Sequence, residues 1–250
     1  MPDRILVLVE GVEKEIQFFK SMNHQFLGQK DNIELVPFGC NIYSLFKLME
    51  EYDFDIELEK AIDVSPTIPP EQKEKIKKQK FPFKYLVFDF DFQDSSLTEE
   101  EKIKALDKML SVYNNDSDNG LLLINYPMFE SFQEPISSQK TMEDSKVKVG
   151  DFCSYKESIA NRKLGVNCKT LQFSDFKGYI HTTLCELNYL FNYSFGEKIS
   201  YEELVNDDFQ INVYHRQIEE LKESEYVYPL NTSVLIPVIY LGVNKYNSIS

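Results

Sequence analysis

Residues 84–91 read KYLVFDFD, and this stretch decides the fold class. Tyr85, Leu86, Val87 and Phe88 form a short apolar run with no helical spacing, closed by Asp89-Phe90-Asp91. Such a run reads as a strand covered on both faces, which is the pattern of a parallel sheet. ILVLV at 5–9 has the same character and ends at Glu10-Gly11. Between and beyond these runs the pattern alternates. Residues 12–28 carry Ile16, Phe18, Phe19 and Phe26 at helical spacing, IELVP at 33–37 reads as a strand, and 42–62 reads as a helix broken near Asp53. LTEEEKIKALDKMLSVY at 97–113 reads as a helix with Thr98 as N-cap and Glu99, Glu100 and Glu101 in the first turn, where the helix dipole favours acids. NNDSDNG reads as a loop, and GLLLINY at 120–126 as a fourth strand. Strand-helix alternation of this kind implies right-handed crossovers and a mostly parallel α/β sheet.

Outside this frame the pattern changes. SPTIPP at 65–70 breaks regular structure and a charge-rich helix or hairpin follows, so about 50–82 reads as an insertion. Residues 131–168 read as irregular and polar; 170–193, 199–223 and 231–247 read mainly as helices. The expected organisation is a catalytic α/β core over 1–135 and a mainly helical region over 136–250 packed on it.

The 250 residues are enough to bury a sizeable core without staples. The net charge of -14 excludes a passive electrostatic binder of nucleic acid, which would use clustered Lys and Arg. Four cysteines form no C-x-x-C pair. A structural zinc site is therefore not expected, and free thiols fit a reducing, cytoplasmic setting. The five-residue apolar run near the N-terminus is too short for a signal segment or a membrane span, so no membrane association is expected.

In an open parallel sheet the ligand crevice lies beyond the C-terminal ends of the strands. Here the first strand ends at Glu10, the third at Asp89 and Asp91, and the fourth runs through Tyr126-Pro127-Met128-Phe129 into Glu130. Residues two apart on a strand point the same way, so Asp89 and Asp91 can share one site. Clustered carboxylate oxygens suit Mg2+ or Mn2+. Each acid also has a bland reading: Glu13 and Glu15 as first-turn acids, Asp94 as a turn residue, Glu130 as a helix-start acid. Lys140, Lys146, Lys148, Lys156, Arg162 and Lys163 follow the core, and of these Lys156 and Arg162 are the candidates for neutralising a phosphate.

LVEGVEKEIQFF at 8–19, FDFDFQD at 88–94 and NYPMFES at 125–131 together resemble the three landmarks of a TOPRIM domain. The small RloB-like TOPRIM proteins are nearest in pattern, and the nuclease part of OLD-family proteins is a more distant likeness. The resemblance covers roughly residues 4–131. It implies a TOPRIM (Rossmann-like) fold and Mg2+- or Mn2+-dependent cleavage of DNA or RNA, often in antiviral defence. By position it makes Glu10 the general acid/base or metal-facing acid, Asp89 and Asp91 metal ligands, and Glu15 and Glu130 supporting acids. A protein partner or homo-oligomer is expected to help present substrate to so acidic a chain. Phe90 stands where relatives often carry a polar residue, and Lys14 where they often carry Thr.

Two rival readings stand beside the nuclease. One is a regulator that keeps the fold without catalysis. The other is an Asp-x-Asp phosphatase, against which Gln93 and the lack of a nearby glycine count.

Overall fold

The structure, a computed structural model, describes residues 4–28, 32–134, 142–161, 166–194 and 197–249. Its centre is a mostly parallel sheet. In chain order, β1 (Ile5–Val9) leads to α1 (Lys14–Leu27), β2 (Ile33–Pro37), α2 (Ile42–Glu50), α3 (Leu58–Val64) and α4 (Pro70–Lys77). Then come β3 (Phe83–Asp89), α5 (Glu99–Val112), β4 (Asn114–Asn115) and β5 (Gly120–Tyr126). The second half holds α6 (Met142–Ser145), β6 (Val147–Lys148), α7 (Phe152–Asn161), α8 (Phe173–Leu190) and α9 (Tyr201–Leu204). It closes with α10 (Phe209–Ser224), β7 (Tyr226–Val227), β8 (Leu230–Asn231), α11 (Ile236–Leu241) and α12 (Val243–Ile249).

The sheet order is β2-β1-β3-β5-β4, with β8 also on β5. β1 pairs in parallel with β2 and β3, and β3 in parallel with β5. The connection from β1 steps to one side and the later strands build on the other. Right-handed crossovers then place α1 and the following connection on opposite faces. The reversal falls between β1 and β3, and a crevice opens where strand order reverses. All five residues of β1 and all seven of β5 are buried, as the continuous apolar runs require.

Several details differ from the sequence reading. β3 ends at Asp89, not Asp91. Asp91 leaves the strand direction with φ 41, and its carbonyl accepts the Asp94 amide at 2.9 Å. A left-handed turn therefore places Asp91, not strand alternation. Phe90 is fully buried, stacked on Phe92 at 5.1 Å and against Tyr126, which accounts for an aromatic residue between the two acids. The break expected near Asp53 is present: α2 and α3 are separated where Asp53 and Phe54 both take positive φ. The 114–120 loop begins with β4, which pairs antiparallel with β5. The 131–168 stretch contains α6, β6 and the ten-residue α7. The 231–247 stretch opens not as helix but with β8 on the sheet. Thr98 does cap α5, in a capping box with Glu101.

One continuous core joins the two halves of the chain. Phe18 of α1 meets Phe129 at 5.1 Å, Phe132 at 4.9 Å and Phe176 of α8 at 5.1 Å. Aromatic contacts of this kind, two edge-on and one tilted, hold neighbouring elements at fixed angles. They seat the turn after β5 against both α1 and α8. Among the described residues, no helix is long and apolar enough to cross a membrane.

Candidate active site

The sheet register sets the site. Val9 lies opposite Val87, so Glu10 emerges beside the end of β3, and its amide donates to the Val87 carbonyl at 3.0 Å. The Asp89 amide in turn donates to Glu10 Oε2 at 3.1 Å. On its other side Asp89 lies opposite Asn125 of β5. Its Oδ1 accepts the Phe129 amide at 2.7 Å, which ties the start of the Glu130 turn to the end of β3. Backbone amides thus fix two of the three central carboxylates from below and leave Asp89 Oδ2 for another partner.

Glu15 reaches the same place by folding back over the loop. Its carboxylate lies where a β-carbon on Gly11 would stand, within 2.2 Å of Glu15 Oε2. Glycine there makes room for the acid. The prediction is specific: Gly11→Ala changes stability by under about 1 kcal/mol, because only a flexible side-chain end must move. It expels Glu15 from the cluster. Thermal melting close to wild type with weakened divalent-metal binding is the expected result. A collapse in stability would show that the glycine serves the backbone instead.

Glu130, 7% exposed, begins a 3-10 turn at Phe129–Gln133. Its Oε1 lies 3.1 Å from Lys14 Nζ and 3.6 Å from Lys156 Nζ. Two lysines therefore border the acids, one from α1 and one from α7. Lys156 was a sequence candidate; Lys14 was noted only as a departure from the family pattern, and the stretch carries no signal for its pairing. Of the other basic candidates, Lys146 pairs with Glu143 and Glu220, and Lys148 with Glu225 at 2.9 Å. Neither joins the site. Lys140, Arg162 and Lys163 lie outside the described residues.

The other bland readings divide. Glu13 is exposed and only accepts Gln17 Nε2, as a first-turn acid does. Asp94 accepts the Ser96 amide at 2.7 Å and Asn41 Nδ2 at 2.9 Å, so it organises the turn beyond Asp91. Two asparagines support the arrangement from beneath. Asn231 Nδ2 donates to the Phe129 carbonyl at 2.6 Å, and Asn125 Oδ1 accepts the Ser233 amide at 3.4 Å. Asn125 stood in the quoted motif. Asn231 did not, because the short polar triplet Asn231-Thr232-Ser233 gives no reason to assign it to a sheet edge.

The electrostatics are those of crowded negative charge. Burial pushes the Glu10 carboxyl up to about 8, aided by the charges of Asp91 and Glu15 and opposed by the Asp89 amide and Lys156. Asp89 is driven well above the ordinary carboxylate range by burial, then by Glu10, Asp91, Glu15 and Glu130. Burial and Asp94 raise Asp91, while Lys156 and a hydrogen bond with Glu10 lower it. Glu15 is raised chiefly by burial, with Glu130 adding to it. Desolvation opposes the Lys156 charge, but Glu130, Asp89 and Glu15 outweigh it and raise that group.

Searches against family models, curated proteins and solved structures find no match to this chain. The reading of the site therefore stands on its own geometry. The donors are all oxygens, five acids gathered on one edge with two lysines beside them, which suits a hard divalent cation. Among the described residues, no three His, Cys, Asp or Glu side chains stand in metal-holding geometry. Glu10, Asp89 and Asp91 are each committed to a neighbouring amide or acid, so gathering them round one ion requires side-chain rotation.

Proposed function

We propose that this protein is a TOPRIM-type nuclease that hydrolyses phosphodiester bonds in DNA or RNA with Mg2+ or Mn2+, acting as an antiviral effector. The observation that carries this reading is the meeting of Glu10, Asp89 and Asp91 at the strand-order reversal, with Glu15, Glu130, Lys14 and Lys156 round them. Glu10, Asp89 and Asp91 would hold the cation, with Glu130 at its border. When bound, the ion supplies Lewis-acid polarisation of a phosphoryl oxygen and a more acidic water.

The chain's own groups have distinct tasks. Lys156, on an exposed helix, draws a phosphate toward an otherwise repelling edge, and Lys14 keeps Glu130 from adding to that repulsion. Glu10, which burial keeps protonated more readily than an ordinary carboxyl in the metal-free protein, is the acid that would take a proton from a nucleophile or return one to a leaving oxygen. Glu15 sets the charge felt by Glu10 and Asp89. The test is cleavage of mixed DNA and RNA by the full chain with Mn2+, with EDTA, and with Lys156→Ala. Metal-dependent cleavage, reduced roughly 10²-fold in the variant, is expected. Cleavage that persists in EDTA would sink the proposal.

A second reading, a regulator that keeps the fold but not the chemistry, draws support from the lack of ready-made metal geometry among the described residues. Titration calorimetry separates the two. Mn2+ binding at micromolar to millimolar concentration favours the nuclease, and a folded protein that takes no metal favours the regulator.

A further inference from the structure

A groove leads away from the carboxylate cluster along one face of α1. One wall is the stripe Glu13, Gln17, Lys20 and His24, spaced three or four residues apart and so aligned along the helix. The other wall is the segment before α8 that carries Lys169. The groove has a volume of ≈ 740 Å³, and from Glu13 to Gln25 it runs roughly 18 Å at the helical rise per residue.

Three features of the groove agree. First, its walls are tied together. Ser21 Oγ donates to the Cys168 carbonyl at 2.5 Å, and Gln25 Nε2 to the Leu171 carbonyl at 3.3 Å. Lys169 stands on a turn closed by its own amide on Asn167 Oδ1 at 3.1 Å and by the Thr170 amide on the Asn167 carbonyl at 3.0 Å. Second, its charge runs against that of the chain. The protein carries a net charge of -14, yet Lys20 and Lys169 face the groove from opposite walls, both exposed and with no ion pair among the described residues. Glu13 is the one acid of the lining among the described residues, and it stands at the mouth, occupied by Gln17. A polyanion repelled by the rest of the surface meets a cationic lane here. Third, the groove is continuous with the acids. Val12 and Glu13 line its mouth and directly follow Gly11, over which the Glu15 carboxylate lies. Val12 is 69% exposed, the most exposed large hydrophobic side chain among the described residues. A ligand passing from groove to acids covers it.

We propose that this groove seats the sugar-phosphate backbone of a single nucleic-acid strand on its way to the carboxylates. The inference rests on the nuclease reading and adds to it the path of the strand and the kind of contact. No Phe or Tyr lines the groove among the described residues, so bases find no stacking platform there. Phosphate contacts alone carry no sequence information, and recognition along the groove is therefore indifferent to sequence. The volume is that of a site for a drug-sized molecule, which admits a short stretch of one strand and not the girth of a duplex. An acidic peptide would meet the same two lysines but has no reason to continue past Val12 to the cluster.

The probe is a fluorescein-labelled oligothymidylate of about ten nucleotides, within the span that single-strand sites cover. It is added to the full chain in EDTA at low salt and followed by fluorescence anisotropy, so that neither metal nor cleavage enters the measurement. Saturable binding that weakens as salt rises is expected. Lys20→Ala combined with Lys169→Ala, both exposed and so without danger to the fold, lowers affinity about tenfold. The same variant reduces the slope of log affinity against log salt by about 1.4, which is two phosphates at about 0.7 each. Lys78→Ala combined with Lys222→Ala removes equal charge from exposed positions outside the groove and leaves both quantities unchanged. No binding by the wild type, equal losses in the two double variants, or tighter binding of a duplex overturns the proposal. Equal displacement of the probe by polyglutamate overturns it in favour of an acidic peptide. Cleavage with Mn2+ judges the nuclease reading separately. A wild type that binds through Lys20 and Lys169 but never cuts fails that reading alone; one that cuts, while the Lys20/Lys169 variant binds and cuts undiminished, fails the groove alone.

Discussion

Asp89→Asn is expected to melt higher than wild type in metal-free buffer and yet no longer cut. The asparagine oxygen can still accept the Phe129 amide, so the tie between β3 and the Glu130 turn survives. What disappears is a carboxyl that burial and the charges of Glu10, Asp91, Glu15 and Glu130 force to keep its proton in the fold, at a cost relative to the ionised group of the unfolded chain. Removing that cost is stabilising, in contrast to removing one member of a satisfied pair. At pH 8 the gain is on the order of 1–3 kcal/mol, or several degrees for a chain of this size. Under the proposed function the same change removes a metal ligand, so stabilisation by Mn2+ vanishes and cleavage falls roughly 10³-fold. Differential scanning calorimetry with and without Mn2+, alongside the cleavage assay, reads all three effects. A variant that melts below wild type without metal would refute the crowding argument. One that melts higher but still cuts would refute the role of Asp89.

The second large effect is a dependence of metal-free stability on pH, with its sign set by Glu10. In the folded protein this carboxyl keeps its proton to about 8, whereas the ordinary value is 4.5. Between those limits the folded state binds more protons than the unfolded one, so stability falls as pH rises through the window. Asp89, Asp91 and Glu15 are raised as well and act in the same direction. Surface acids such as Glu101 and Glu143 are lowered by their hydrogen bonds. Their contribution is complete above the ordinary carboxylate range and does not change from pH 5 to 8. The metal-free melting temperature therefore drops between pH 5 and 8, by a few kcal/mol in stability or ~5–10 °C. Under the proposed function a divalent metal would displace the held protons, so its affinity climbs over the same interval and the drop flattens when Mn2+ is present. A flat or rising metal-free profile would contradict the burial of these acids.

The sequence was informative where a physical period or a named cap exists. The apolar runs at 5–9 and 120–126 are strands because both faces of a central parallel strand are covered. Thr98 with Glu101 marks the start of α5 by chemistry that acts within four residues. The gathering of Glu10 and Asp89 also followed from topology alone, since neighbouring parallel strands bring their C-terminal ends together. What escaped was set by distant partners. Asp91 could not be placed by alternation because a left-handed turn intervenes. Lys14 faces Glu130 across 116 residues of chain. β8 has two residues, too few for any period, and pairs with β5 only because the α8 region and the following 3-10 turn pack there.

β8 has one further consequence, for biosynthesis. The outer edge of β5 is covered in two parts, by β4 at Gly120–Leu121 and by Leu230–Asn231 at Asn125–Tyr126. The second part carries the Asn231 amide that steadies the Phe129 carbonyl at the rim of the carboxylates. A nascent chain folds from its N-terminus as it emerges. The segment that finishes this rim, Leu230–Asn231, leaves the ribosome about a hundred residues after β5. Until then β5 keeps a bare edge beside the acids, and the rim lacks its clamp. A chain interrupted between β5 and β8 thus holds every acid of the cluster but not the finished rim, so under the proposed function an effector that would harm its own cell gains its clamp only after Asn231 has been made.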